Sequence, residues 1–132
     1  ATTASVIAKD KKIRKLVYAF QLKCAYNPPK KYKGSVLDGR DIGTVVCPDA
    51  EIKLFIFAST EVRAKRRFKE LQYRGVEAIY ARVLEDMKKR DARDMERVAS
   101  PLVATSDSFI LDTDNLGVDK AFEVALNYIQ NK

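Results

Sequence analysis

The 132-residue chain has no histidine, and its two cysteines, Cys24 and Cys47, show neither CxxC nor Cys/His spacing. That excludes a zinc site of the usual ligand spacing, and in an intracellular setting both thiols stay reduced and read as core residues. None of the five glycines belongs to a Gly-x-x-x-x-Gly-Lys-Ser/Thr run, so the sequence has no glycine-rich loop to cradle donor phosphates. No apolar run approaches the roughly 18 residues of a membrane-spanning helix, and no signal peptide is visible. The expectation is a cytoplasmic protein without a membrane partner. No internal repeat or low-complexity tract is present, and no stacking aromatics alternate with the basic residues as they do in single-strand nucleic-acid binders.

What the chain has is positive charge, 25 Lys and Arg against 18 Asp and Glu, a formal +7. Clustered cations focus a potential that favours anionic partners, whether nucleotide, nucleic acid or acidic lipid. The length suits one core, and a single domain is expected. Apolar residues recur with helical period from Ser5 to about Tyr26, giving one amphipathic helix. Asn27 to Gly34 holds two prolines and a closing glycine, a surface loop. Val36-Leu37 and Lys53 to Ala58 read as buried strands of a sheet covered on both faces, and Phe109 to Asp112 as another strand. Helices are expected from the Ser59-Thr60-Glu61 cap to about Tyr73, where Gly75 stops the first, then from Val76 to Arg90, and from Val118 to Ile129. In the middle helix Ile79, Val83 and Met87 form one buried stripe. This order implies an α/β fold with a parallel, three-layer sheet.

The charged residues carry the chemical signal. Phosphoryl transfer is mainly positioning and charge neutralisation, and arginine forks grip phosphate oxygens bidentately. Arg40 follows Gly39 at an expected strand end, where open α/β sheets bind ligands, and Asp41 faces the same crevice or pairs with a nearby arginine. Arg90, Arg93, Asp94 and Arg97 share one side of a helix, a basic face enclosing a carboxylate, or a solvated helix end laced with ion pairs. Arg63, Arg66 and Arg67 form a further basic cluster that reads equally well as a solvated face.

Asp38-Gly-Arg-Asp-Ile-Gly-Thr-Val-Val-Cys-Pro48, Arg63-Ala-Lys-Arg-Arg67, Arg90-Asp-Ala-Arg-Asp-Met-Glu-Arg97 and Ser100-Pro-Leu102, in this order and spacing, resemble the C-terminal part of bacterial cytidylate kinase. The resemblance runs from Ser5 to the last helix. It implies a P-loop nucleoside monophosphate kinase fold that is incomplete at the N-terminus, residues 1–132 being the C-terminal portion of one core domain with a lid segment at about 60–97. It implies transfer of the ATP γ-phosphate to CMP or dCMP, with ATP and Mg2+ as cofactors, in a monomer when full length. By the same resemblance Ser5, Arg14 and Asp41 contact the cytosine. Arg40 and Arg97 hold the acceptor phosphate, and Arg90 and Asp94 address the sugar. Arg63, Arg66 and Arg67 are lid arginines near the donor, with Arg66 and Arg67 joining Arg40 and Arg97 in catalysis; no residue is assigned to a metal. Cytosine offers a donor at N4 beside acceptors at N3 and O2, and a carboxylate, an arginine and a hydroxyl complement it, whereas uracil would leave buried groups unpaired. Two features depart from the family pattern: Glu96 stands before Arg97, where it is expected to point to solvent, and the Asn27–Gly34 loop is longer and more basic.

The absent phosphate loop and monophosphate-covering insertion imply that this chain alone does not turn over ATP. Two other functions fit parts of the sequence. A non-catalytic module that holds CMP fits the missing loop, and a basic nucleic-acid-binding domain fits the net charge alone.

Overall fold

The computed structural model describes residues 10–95 and 103–132, with the backbone alone at residues 11 and 93–95. Residues 1–50 and 51–132 form two compact units.

In the first unit, helix α1 spans Lys11–Tyr26. Asp10 is extended, at φ −69° and ψ 121°, and its carboxylate accepts from the backbone N–H groups of Lys12 at 2.7 Å and Ile13 at 3.2 Å. It therefore starts a helix, and the expected continuous helix from Ser5 is corrected at this residue; residues before it lie outside the described ones. The loop after α1 is largely exposed, as expected. Val36 and Leu37 form no strand: Val36 is fully exposed, and two apolar residues without a pairing partner cannot make a ladder. In place of a strand the unit has a five-residue π-helical turn, Ile42–Val46. Its wide turn is closed by Val46 N–H on the Asp41 carbonyl at 3.2 Å and Cys47 N–H on the Ile42 carbonyl at 2.7 Å.

In the second unit, strands β1 (Leu54–Phe57) and β2 (Phe109–Asp112) pair in parallel, Leu54 opposite Phe109 and Phe57 opposite Asp112. Parallel strands need a long crossover, and here it contains two helices, α2 (Thr60–Tyr73) and α3 (Tyr80–Met95). These pack together as a hairpin, with Phe68 and Tyr80 edge to face at 6.0 Å between centroids. Ser59 caps α2 through its hydroxyl, which accepts from Val62 N–H. Helix α4 (Val118–Gln130) follows β2 and returns Tyr128 to stack on Phe109 at 4.2 Å. The architecture is mixed α/β with a parallel sheet, as the sequence implies.

The sheet is not covered on both faces. Ile56 and Ile110 are each more than half exposed and Phe57 is 40% exposed, while Leu111 is buried. The α3 stripe is also shorter than expected, because Ile79 precedes the helix and is exposed while Val83 and Met87 are half-buried. Of the two cysteines only Cys47 is buried; Cys24 is exposed on α1, which corrects its assignment to the core.

Candidate functional site

Arg14, Arg40 and Asp41 belong to the first unit. Arg14 lies in the first turn of α1, its N–H on the Asp10 carbonyl at 2.9 Å, with its side chain exposed. Arg40 and Asp41 are half-buried at the entry to the π-helical turn. They do not follow a strand end. Gly39 is needed for packing: a Cβ there would stand 2.8 Å from Ile42 Cγ1, on a β-branched side chain with little freedom to move. Asp41 starts the turn through its carbonyl, which accepts from Val45 N–H at 2.8 Å and the Thr44 hydroxyl at 3.3 Å; its carboxylate makes no capping bond.

The sequence reading missed what holds this segment. The Tyr26 hydroxyl at the end of α1 donates to Asp49, just beyond the turn, and the Ser35 hydroxyl donates to the Cys24 carbonyl. The hydrogen bond to Asp49 raises the Tyr26 pKa, since ionisation would remove the donor. Nothing in the spacing of Tyr26 and Asp49 marks them as partners.

The remaining described candidates lie in the second unit, and their surroundings differ. Arg63 is engaged on every side. Its Nη1 and Nη2 donate to Asp91 Oδ1 and Oδ2 at 2.9 and 2.6 Å, its Nε to the Ala58 carbonyl at 2.9 Å, and Nη2 also to the Thr60 hydroxyl at 3.1 Å. Thr60 in turn donates to Asp91 Oδ2 at 2.9 Å. These bonds, Arg63 first and Thr60 next, hold the Asp91 carboxyl below the usual carboxylate range, and Asp91 raises the pKa of Arg63. Arg66 reaches the loop after β2, donating to the Thr113 hydroxyl at 3.1 Å, the Thr113 carbonyl and the Leu116 carbonyl at 3.1 Å. Arg67 pairs with Glu70 one turn on at 2.6 Å. Arg90 is exposed on α3, and Asp94 stands four residues further along the same helix. Ser5, Glu96, Arg97 and the Ser100-Pro-Leu102 motif lie outside the described residues.

The structure thus brings Arg63 to Asp91, next in sequence to Arg90. Asp91 sits inside the arginine-rich motif, and a carboxylate flanked by cations was the available signal for it. At the base of the hairpin the Asp114 carboxylate accepts from Ser59 N–H at 2.6 Å, tying the start of α2 to the loop after β2.

Among the described residues no group of three or more potential metal ligands comes together, and the sequence carries no phosphate-cradling glycine loop. Among the described residues no helix is long and apolar enough to cross a membrane.

Comparison with known proteins gives the family. The cytidylate kinase family model matches residues 1–131. A curated cytidylate kinase of Paramagnetospirillum magneticum is 52% identical over the whole chain, which covers 62% of that relative. Those of Azorhizobium caulinodans and Bartonella bacilliformis are 50% and 48% identical over 96% of the chain, covering 60% and 57% of their lengths. The chain therefore spans about three-fifths of the length of the curated relatives it matches. Its parallel α/β unit is consistent with part of a P-loop kinase fold, and the chain belongs to the cytidylate kinase family.

Proposed function

We propose that this chain carries the acceptor side of a nucleoside monophosphate kinase that moves the γ-phosphate of ATP to CMP or dCMP once the donor side is supplied. The observation that carries the reading is the family match across residues 1–131, which includes every candidate residue. In it Ser5, Arg14 and Asp41 read the cytosine, Arg40 and Arg97 hold the acceptor phosphate, and Arg90 and Asp94 address the sugar. The free capping position of Asp41 supports a role for its carboxylate in reading the base, since the π-helical turn uses only its carbonyl. Of the lid arginines, Arg67 fits a donor-side role best, because it has only its exposed pair with Glu70 to exchange, whereas Arg63 and Arg66 are each held by several protein oxygens. By family, ATP is the donor and Mg2+ its metal, and this sequence carries no phosphate-cradling glycine loop to hold them.

The test is a phosphotransfer assay on this chain completed to the length of its relatives. CMP and dCMP are expected to be phosphorylated, UMP at least a hundredfold less efficiently, and Arg40→Ala to lower kcat/KM for CMP by at least a hundredfold. UMP turnover equal to CMP overturns the base-reading assignment, and full activity of Arg40→Ala overturns that of Arg40.

A further inference from the structure

The Arg63–Asp91 pair stands apart from the other ion pairs of the α2–α3 hairpin. Glu85–Lys89 and Glu61–Lys88 are exposed. Arg63 and Asp91 are about two-thirds covered and meet through two parallel bonds, the stronger and more directional form of this interaction. Both Asp91 oxygens are taken, one of them twice, by Arg63 and Thr60. Arg63 also donates to the carbonyl of Ala58, a buried residue directly after β1. A short path of hydrogen bonds therefore runs from the end of the strand through Arg63 to α3, and it reaches α3 one residue after Arg90 and three before Asp94.

We infer that Asp91, gripped by Arg63, is a positioning residue that fixes the register of the α3 segment bearing Arg90 and Asp94 relative to the end of β1. This rests on the reading that those two residues address the sugar of the acceptor nucleotide. A helix turns about 100° per residue, so a slip of one position at Asp91 would swing both neighbours to another face. A pair serving stability alone could stand anywhere along the hairpin. This one stands at its base, where the α3 residues that meet substrate would begin. It also gives Arg63 a role other than the lid contact that the sequence suggested.

The experiment uses the chain completed to the length of its relatives, with KM and kcat measured for CMP and for ATP. Asp91→Asn is expected to raise KM for CMP at least tenfold and leave KM for ATP within twofold. Arg63→Lys, which keeps the charge but loses the fork, gives the same split at smaller size and serves where Asp91→Asn folds poorly. The exchanged pair, Arg63→Asp with Asp91→Arg, recovers part of the CMP affinity. Glu85→Gln, which removes an exposed pair on the same helix, leaves both constants within twofold. A lower melting temperature with KM for CMP unchanged in both Asp91→Asn and Arg63→Lys overturns the inference, since that is what a purely structural pair would give. Arg90→Ala separates the two readings. If it raises KM for CMP while Asp91→Asn does not, the positioning role falls and the site stands; if Arg90→Ala has no effect, both fall.

Discussion

Lys53 directly precedes β1 with a side chain only 7% exposed, and its ammonium meets Asp107 at 2.7 Å. A buried cation is tolerated when paired, and Asp107 is itself held by the Thr105 hydroxyl. Hydrogen bonding to Lys53, then Thr105, takes the Asp107 carboxyl from its usual 3.8 to about 2. A carboxyl depressed on folding contributes stability that is fully present above its unfolded pKa, near 4, and is lost as pH falls toward 2. Asp107→Asn should therefore unfold at lower urea than the parent chain at pH 7, with the two midpoints converging by about pH 2. A gap that stays constant down to pH 2 would place the effect elsewhere than the ionised pair. The sequence shows Lys53 only as the first residue of an apolar run, because a partner 54 positions away leaves no local trace.

Helix α2 ends in a closed motif: Val76 N–H reaches the Leu71 carbonyl at 2.9 Å and Gly75 N–H the Gln72 carbonyl at 3.0 Å, with Gly75 at φ 68°. An L side chain in that region costs about 1–2 kcal/mol, so Gly75→Ala should destabilise the second unit by about that amount in chemical denaturation, the site residues being untouched. At the other helix start, Asp10→Ala removes the acceptor for two N–H groups and should lower helical circular dichroism through fraying of α1. Such signals are local, and local signals were the legible ones: Gly75 as a stop, Ser59 as a cap, and the apolar runs that became β1 and β2. Helix α3 begins at Tyr80, four residues later than periodicity implied, because residues 76–79 form no regular element and only at Ile79 does a carbonyl accept from Arg82 and Val83 N–H. The π-helical turn at Ile42–Val46 had no counterpart among the expected elements, since no spacing rule separates an i to i+5 turn from a short apolar run. Of the site, the arginines were visible as a pattern. Which of them are gripped by their own protein was not, since Asp91 and the Thr113 and Leu116 carbonyls reach Arg63 and Arg66 only through folding.

The core of the described residues is thin. Among the described residues no large side chain is fully buried, and the buried apolar ones are Val46 and Cys47 in the first unit and Ala58, Ala64 and Leu111 in the second. The two units differ in what surrounds those few residues. In the second, Ala58, Ala64 and Leu111 lie in or directly beside a strand pair and a helical hairpin, and three carboxylates, Asp91, Asp107 and Asp114, tie separate segments together through Arg63, Lys53 and Ser59. In the first, α1 leaves Leu16 and Phe20 about two-thirds exposed and Val17 nearly half, and it is tied to the following segment by Tyr26–Asp49 and Ser35–Cys24. Amide protection follows the free energy of local opening, which is lowest where few apolar contacts must break. Hydrogen exchange on this 132-residue chain should therefore show the slowest amides in β1, β2 and the facing turns of α2 and α3, with α1 exchanging at least tenfold faster. Equal protection of α1 and β2 would mean that burial in the first unit is greater than these side chains provide, and that Arg14, Arg40 and Asp41 sit on ground as firm as Arg63 and Asp91.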